Sequence, residues 1–439
     1  MRAFLGACLF LIASAPLAAG RPAALTDDDF FPVNRGAVAL GRALFYDPIL
    51  SGNRNISCAS CHHPRFATGD GVSLGLGEGG IGLGPARRPD PQNMPEQRIP
   101  RNAPPLFNLG ARAFTVLFAD GRIEADPSRP SGLRTPLEED MVLGFDGVLS
   151  AQTMFPVLAP DEMAGHYQEN EISRAVRQGR LTGEGGAWDL IARRVAAIGA
   201  YAAGFAEIDP EIAAGRPIAF TDISNAIAAF VAFEWRSDDS PFDAWLRGEA
   251  DLPAPALRGA DLFYGRAGCS TCHAGALLTD HGFHAMGQPQ LGPGKVERFE
   301  TNQRDIGRMR VTGRAEDAYA FRTPSLRNVT RTGPWGHAGA FTELAAFLRD
   351  HADPAGGLDT YRPQALLPDL PTAKPDWAIM EDPAEREAIR AAIEWRGVAL
   401  SEDEIADLLA FLDSLTDETA LAGRLGIPDT VPSGLPVER

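Results

Sequence analysis

The chain has 439 residues, enough for two or three domains, and 44% of them are hydrophobic, which is ordinary for a globular protein. Its 58 acidic and 41 basic residues give a net charge of -17, which argues against nucleic acid as a partner because phosphate binding needs a basic surface. A solvated acidic surface is the commoner meaning of such a charge, and a basic protein partner is the alternative.

The N-terminus has the pattern of a secretory signal peptide. Arg2 is followed by an apolar run and then by small residues, with cleavage expected near Gly20, and Cys8 leaves with the peptide. The apolar run is too short for a comfortable membrane span, and no later stretch is apolar enough to cross a bilayer. We therefore expect residues 1–20 to be removed and the mature protein to be soluble and exported to the periplasm.

The four remaining cysteines form two copies of one pattern, CASCH at 58–62 and CSTCH at 269–273. A zinc site made from two such pairs usually separates them by about 15–20 residues, far fewer than intervene here. The flanking residues are loop-like, which disfavours a thioredoxin-like redox disulfide. Covalent haem attachment fits better, because two thiols bind the haem vinyl groups and the next histidine reaches the iron. The sequence predicts two haem c groups, with a metal or disulfide site as the alternative; the residues involved are Cys58, Cys61 and His62, then Cys269, Cys272 and His273.

The apolar periodicity predicts an opening and a closing helix around each motif. These segments are, in chain order, AVALGRALFYD at 37–47, a helix at 220–246, APALRGADLFYG at 254–265 and a helix at 401–415. GRALFYD and GADLFYG form a weak internal repeat. We expect Ser240-Pro241 to end the second helix and Ser401 with Glu404 to begin the last as a capping box.

Several segments together resemble the bacterial di-haem cytochrome c peroxidases and their relative MauG, which oxidises a protein tryptophan using peroxide. These segments are LGRALFYDPILSGNRNISCASCH, RNAPPLFNLG at 101–110, LFADGR at 117–122, AQTMFPVLAPDEM at 151–163 and FRTPSLRNVTRTGPWGHAGAF at 321–341. The resemblance covers roughly 35–415. It is highly specific for the superfamily and less specific for the branch.

The resemblance implies a mainly α fold with two cytochrome c-like haem domains and long irregular loops. Strand signals are sparse, and loops rich in Gly and Pro fill 69–105 and 120–165. The expected divisions are a signal peptide at 1–20, an N-terminal domain with the peroxidatic haem at 28–249, a C-terminal domain with the electron-transfer haem at 250–425 and a tail at 426–439.

In the family a Gln, a Pro and a Glu line the open face of the first haem. Gln152, Pro156 and Glu162 match their spacing, and the resemblance implies a catalytic role for them. A positioned carboxylate can move a proton between the two oxygens of peroxide, first as general base and then as general acid. The alternative is that Glu162 caps a short helix after Pro160 and Asp161.

The resemblance also implies a calcium ion between the domains, bound by an Asn side chain and two backbone carbonyls. Asn102, Thr332 and Pro334 match the family's ligands. Oxygen ligands suit calcium, which is a hard cation. The alternative is a turn built on Gly333-Pro334.

The sequence departs from the peroxidase pattern at the distal face of the first haem. Many peroxidases carry a distal His there, in a Gly-His-Gly stretch, and Glu78 stands at the matching position. We expect Glu78 to be a solvated loop residue, with iron binding as the alternative. A five-coordinate first haem, as in MauG-like members, would follow.

A second departure concerns the sixth ligand of the second haem, which is a Met in the peroxidases and a Tyr in MauG. His351 occupies the matching position, fourteen residues after His337. We expect His351 to bind the iron, with Met286 and Met309 as competing ligands. The alternative is a histidine whose positive charge offsets the helix dipole.

The third departure is Ala119, which stands where the family has a tryptophan between the haems. Electron transfer would then use another aromatic residue, such as Trp335, or a longer path.

These residues favour an exported di-haem peroxidase that takes electrons from a small cytochrome c or cupredoxin, or from a protein client as MauG does. A homodimer is compatible with the sequence. The rival hypothesis is a pure electron-transfer cytochrome, in which both irons would be six-coordinate. A haem-based sensor is a third hypothesis, and nothing in the sequence supports an attached signalling domain.

Overall fold

The fold is described by a computed structural model for residues 21–296 and 300–439, so the predicted signal peptide lies outside the described residues. Helices hold 40% of the residues and strands 6%, which confirms the prediction of a mainly α protein. Within the described ranges, none of the helices has the length and apolar composition needed to span a membrane.

The described residues contain sixteen α-helices. They are α1 Arg35–Tyr46, α2 Val148–Gln152, α3 Glu171–Arg177, α4 Ala187–Ala196, α5 Gly199–Ile208, α6 Pro210–Ala213, α7 Phe220–Glu234, α8 Pro241–Leu246, α9 Ala254–Tyr264, α10 Met309–Thr312, α11 Leu344–Ala352, α12 Pro354–Thr360, α13 Ala378–Glu381, α14 Pro383–Ala392, α15 Glu402–Asp413 and α16 Glu418–Ala422.

Seven short strands complete the regular structure of the described residues. They are β1 Gly80–Ile81, β2 Arg88–Pro89, β3 Val116–Leu117, β4 Ile123–Ala125, β5 Leu133–Arg134, β6 Phe283–His284 and β7 Phe321–Arg322. They form three small antiparallel sheets, ordered β1–β2, β3–β4–β5 and β6–β7. The sheets hold long loops together, and the three-stranded sheet adds Leu117, Ile123 and Leu133 to the buried apolar residues of the first half.

Two helix pairs organise the two halves of the chain, because α1 packs on α7 and α9 packs on α15. The first glycine of each repeated segment lies at its crossing. A Cβ atom on Gly41 would lie 1.8 Å from the carbonyl oxygen of Ala226, and one on Gly259 would lie 2.0 Å from that of Asp407. The weak internal repeat therefore has a physical cause: each opening helix approaches its closing helix so closely that only glycine fits.

Each helix pair has its own apolar core. Leu44, Phe230 and Trp235 are fully buried in the first cluster, which holds the buried side chains of α1 and α7. Phe242 and Phe411 are fully buried in the second, with the side chains of α9 and α15. Two large buried clusters are what two separately packed units require.

The second predicted helix is wrong in its length. The helix α7 ends at Glu234, and Ser240-Pro241 begins α8 instead of ending α7. Ser240 accepts a hydrogen bond from the backbone of Asp243, whose carboxylate accepts one from the backbone of Ser240 in return. This capping box favours a helix start, and proline is well tolerated in the first turn of a helix. The predicted capping box of Ser401 and Glu404 is confirmed.

A buried ion triad joins the two halves. The Arg101 guanidinium lies 2.7 Å from an Asp120 carboxylate oxygen and 2.7 Å from one of Asp305. Arg101 and Asp120 come from the first half, and Asp305 comes from the second. Burial opposes ionisation of Asp305, but the charge of Arg101 outweighs it and holds the pKa of Asp305 well below its usual range.

The C-terminal residues return to the first half after α16. Val431 is buried in the first cluster, and the Ser433 hydroxyl donates to Asp47 across 2.6 Å. The carbonyl of Gly426 accepts a hydrogen bond of 2.8 Å from Arg42. The last residues of the chain are therefore packed against the first unit.

We expect Asp305→Asn to lower the free energy of unfolding by roughly 3 kcal/mol at neutral pH, because it leaves Arg101 buried with one carboxylate fewer. Since the folded-state pKa of Asp305 is depressed, its stabilisation is present above the unfolded pKa of about 3.9 and is lost as the pH falls below it. Denaturant unfolding of the holoprotein from pH 7 down to pH 3 measures this.

The matched control is Asp429→Asn, which removes a carboxylate from an exposed pair with Arg439. It should change the stability little. A loss in Asp305→Asn that stays constant down to pH 3 would contradict the account.

Candidate functional site

The first cysteine motif forms a single tight turn, Cys58–Ser60, immediately before His62. The backbone N–H of His62 donates to the carbonyl of Cys58 across 2.9 Å. Its Nδ1 donates to the carbonyl of Thr68 across 3.0 Å, so a metal would bind through Nε2. The sequence supplies this geometry locally, because Thr68 lies only six residues beyond His62.

The second motif repeats the arrangement. The turn Cys269–Thr271 precedes His273, whose N–H donates to the Cys269 carbonyl across 2.9 Å. The Nδ1 of His273 donates to the carbonyl of Leu278 across 3.0 Å. Both histidines thus present Nε2 in the same way, which is how a second contact fixes the orientation of a metal-binding imidazole.

The thiols fit haem attachment better than zinc or a disulfide. All four cysteines, Cys58, Cys61, Cys269 and Cys272, are free thiols. Among the described residues, Cys58 and Cys61 belong to no group of three side chains that could hold a metal ion, whereas Cys272 lies with Asp280 and His284 in one such group. Burial raises the pKa of Cys58 and of Cys61 to about 12, so both are protonated at neutral pH.

Arg322 supplies a second reason to expect haem. Its guanidinium donates to the carbonyls of Phe118 and Thr323, at 3.3 and 3.2 Å. Burial lowers its pKa to about 10, and no carboxylate of the described residues pairs with it. A buried cation without a counter-charge is costly, and a haem propionate is an anion of the kind that would offset it.

The three residues predicted to face the open side of the first haem are Gln152, Pro156 and Glu162. They lie on consecutive turns of one segment. Gln152 ends α2, Pro156 begins a single turn that ends at Leu158, and Glu162 lies in a π-helical turn over Pro160–Ala164. The side-chain oxygen of Gln152 is buried and has no partner among the described residues. π-helical turns are rare and are often found at functional sites.

The Glu162 carboxylate accepts none of the described backbone hydrogen bonds that a helix cap would make. Instead it faces cations: its negative charge acts on Arg122 and on Lys295. The Arg122 guanidinium lies 3.9 Å from the centre of the Phe118 ring. Burial lowers the pKa of Lys295 to about 8, with a smaller contribution from Arg122. Lys295 was not predicted as a site residue, because this side chain reaches the site from the other half of the chain.

The expectation for Glu78 is wrong. The side chain is not solvated: it is only 1% exposed. One of its oxygens accepts hydrogen bonds from Asn53, Asn55 and Asn93, at 3.0, 2.7 and 2.8 Å. The other oxygen is buried without a partner. Three amide donors offset the cost of burying this carboxylate, and a sequence pattern does not reveal that distant asparagines converge on it.

The loop that carries Glu78 packs directly on the distal segment. The backbone N–H of Glu78 donates to the carbonyl of Asp161 across 2.9 Å. A Cβ atom on Gly77 would lie 2.2 Å from the same carbonyl oxygen and 2.9 Å from the Cα of Glu162. Gly77 therefore lets the two loops touch, and the position of Glu162 depends on the conformation of the Glu78 loop.

His351 lies in α11, where its Nδ1 donates to the carbonyl of Phe347 across 3.1 Å. A metal would therefore bind through Nε2, as in the two motif histidines. Burial, with a smaller contribution from the charge of His273, lowers the pKa of His351 to about 4. A neutral imidazole cannot offset the helix dipole at pH 7, which argues against that alternative.

Asn102 and Thr332 line one small cavity, together with Gly333 and Asp70. The amide nitrogen of Asn102 donates to the carbonyls of Val72 and Ser73, so its oxygen is free. Asp70 is 5% exposed, and burial raises its pKa to about 7. The sequence missed this carboxylate, which is the kind of group that a bound cation stabilises in its charged form.

Around Ala119 the two halves meet through Arg322, whose N–H donates to the Ala119 carbonyl across 2.8 Å. Trp335 lies elsewhere. Its indole donates to the carbonyl of Val329 across 2.9 Å, and its ring lies against Gly333 at the small cavity.

Known proteins resemble this chain over most of its length. The family model described as di-haem cytochrome c peroxidase matches residues 35–251. The methylamine utilization protein MauG of Methylorubrum extorquens is 30% identical over 404 residues, which cover 91% of this chain and 84% of that protein. The cytochrome c551 peroxidase of Pseudomonas aeruginosa is 28% identical over 314 residues, which cover 71% of this chain and 70% of that protein.

A solved structure is also similar over almost the full length. The structure of a MauG-like protein associated with microbial copper homeostasis aligns with a TM-score of 0.57 and 26% identity. The alignment covers 93% of this chain and 97% of that chain. The predicted resemblance is confirmed, and the chain belongs to the di-haem cytochrome c peroxidase family, which includes MauG.

Proposed function

We propose that this protein is a periplasmic di-haem peroxidase that reduces hydrogen peroxide at the first haem. The second haem relays electrons from a small redox protein, such as a cytochrome c or a cupredoxin, or from a protein client as in MauG. The difference between the two sites carries the proposal. Gln152 offers a buried side-chain oxygen without a partner among the described residues, and Glu162 offers a carboxylate whose charge acts on Cys61 of the first motif, whereas His351 offers an imidazole near His273.

When bound, haem iron supplies the redox chemistry for breaking the peroxide O–O bond. Glu162 contributes the proton transfer: it accepts the proton of the inner peroxide oxygen and returns it to the outer oxygen, which leaves as water. The Gln152 oxygen accepts a hydrogen bond from peroxide and orients it. Arg122 and Lys295 place positive charge near the Glu162 carboxylate.

The assignment to the MauG-like side rests on Glu78 and His351. Glu78 stands where the distal histidine would be, and three asparagines hold one of its oxygens, so we propose that Glu78 keeps this hydrogen-bond network and would leave the first haem open to peroxide. His273 and His351 would both hold the second haem, which would then pass electrons without binding peroxide. His/His ligation lowers its reduction potential relative to His/Met ligation.

We further propose a calcium ion in the cavity between the halves. Asn102 contributes its side-chain oxygen, Thr332 and Pro334 contribute backbone carbonyls, and Asp70 adds a negative charge nearby. The free oxygen of Asn102 and the buried Asp70 carboxylate support this site. Calcium prefers such oxygen ligands.

Replacing Glu162 by Gln should spare haem attachment but slow peroxide turnover by about 10²–10⁴-fold, because the amide cannot carry the proton. Steady-state peroxide consumption measures this. The exposed Glu139→Gln is the matched control and should retain wild-type turnover. Full turnover in Glu162→Gln would remove this carboxylate from the mechanism.

Replacing His351 by Ala should convert the second haem from low spin to high spin, since its sixth ligand is lost. EPR of the ferric protein measures this. Met286→Leu and Met309→Leu are controls for the competing ligands and should leave the low-spin signal intact. A low-spin signal that survives in His351→Ala would assign the ligand to another residue.

Removal of calcium with a chelator should impair peroxide turnover, and added calcium should restore it. Asp70→Asn should require a higher calcium concentration for half-maximal recovery, because it removes a negative charge from the cavity. Calcium titration of the chelated protein measures both effects. Full activity in protein shown by elemental analysis to be free of calcium would reject the site.

A further inference from the structure

Trp395 connects two parts of the second haem site that are far apart in sequence. Its indole Nε1 donates to the backbone carbonyl of His351 across 3.0 Å. The far edge of its ring lies against Gly268, where a Cβ atom would be 2.9 Å from Cη2. Gly268 immediately precedes Cys269. One side chain therefore contacts both the helix that carries the proposed axial ligand and the turn that carries the attachment cysteines.

The segment around Trp395 is fixed on both sides. The N–H of Glu394 donates to the carbonyl of Ala285 across 3.0 Å, and that of Val398 donates to the carbonyl of Ala352 across 2.8 Å. These bonds hold the segment against the end of α11 and the loop after the second motif. The indole ring therefore has a defined position, which efficient electron transfer through a side chain requires.

Trp395 is partly exposed, and its neighbours Glu394 and Arg396 are exposed. The exposed Glu394 and Arg396 would give a docked partner protein contacts on both sides of Trp395 in the chain. The ring itself lies against the backbone next to Cys269.

The first motif offers no such surface. Ala59 and Ser60, which lie between its two cysteines, are each only 1% exposed. The Ser60 hydroxyl donates to the Glu438 carboxylate, which also lies 3.5 Å from the Arg87 guanidinium. The C-terminal residues therefore cover the first attachment turn, whereas Thr271 in the second is exposed.

We propose that Trp395 conducts electrons from a docked one-electron donor protein to the second haem. The inference rests on the proposed function for the direction of electron flow. In each transfer the donor loses one electron and the second haem gains one. No atom or proton moves, and the indole returns to its starting state.

The test uses three variants of the full-length holoprotein. Trp395→Leu removes the aromatic ring, and Trp395→Phe keeps a ring but removes the hydrogen bond to His351. Trp377→Leu is the matched control, a partly buried tryptophan of the same half that packs on Tyr361. Stopped-flow spectroscopy without peroxide measures the rate at which reduced horse heart cytochrome c, a basic one-electron donor, reduces the second haem.

We expect Trp395→Leu to slow this reduction several-fold, while Trp395→Phe and Trp377→Leu stay near the wild-type rate. Dithionite, which is small enough to reach the haem edge directly, should reduce all four proteins equally. The low-spin EPR signal and the midpoint potential of the second haem should be the same in all of them.

An unchanged rate in Trp395→Leu would overturn the proposal, as would a wild-type protein that cytochrome c does not reduce. Equal slowing in Trp395→Leu and Trp395→Phe, with a shifted potential or an altered low-spin signal, would also overturn it and make Trp395 a positioning residue for His351. Slower reduction in Trp395→Leu, together with a wild-type protein that does not react with peroxide, would reject the proposed function. It would still support the role of Trp395 in electron transfer.

Discussion

The close crossing of each opening helix with its closing helix is the constraint on which both halves depend. At Gly41 and at Gly259 the partner backbone occupies the space that any side chain would need. This contact sets the distance between the helices, and the attachment turn follows the opening helix in both halves. The haem site is therefore positioned by a backbone contact, and the side chains around it are free to differ between the two units.

Those differences separate the roles of the two sites. Around the first motif the chain brings together the Gln152 amide, the Glu162 carboxylate and the cations Arg122 and Lys295, and it closes the attachment turn with its own C-terminal residues. Around the second motif it supplies a further imidazole and leaves the turn near the surface. Between the halves, the Arg101 triad and the Ala119–Arg322 contact hold the two units together. A peroxide-reacting centre beside an electron-accepting centre is the division of labour that this arrangement suits.

Sequence patterns predicted the features that depend on residues close together in the chain. The two attachment motifs and the Ser401 capping box depend on residues a few positions apart, and a single sequence shows them. The end of α7 was mistaken because Ser240-Pro241 suits a helix start as well as a stop. Glu78 was mistaken because its three asparagine donors meet only in the folded chain.

The residues that the sequence missed share that cause. Asp70, Lys295 and Arg322 stand out as site residues only because of their burial and of charges in other segments. Trp395 stands out only because of its contacts with His351 and Gly268. No spacing rule connects such positions. Gln152, Pro156 and Glu162 were predicted only through their match to a family pattern.

The most direct test of the account is EPR and visible spectroscopy of the ferric protein, before and after one equivalent of hydrogen peroxide. The account predicts one high-spin and one low-spin haem, with an immediate reaction that needs no prior reduction. Two low-spin haems that react only after partial reduction would show that the first iron is blocked. Two low-spin haems that stay inert even after reduction would contradict the account and favour a pure electron-transfer cytochrome.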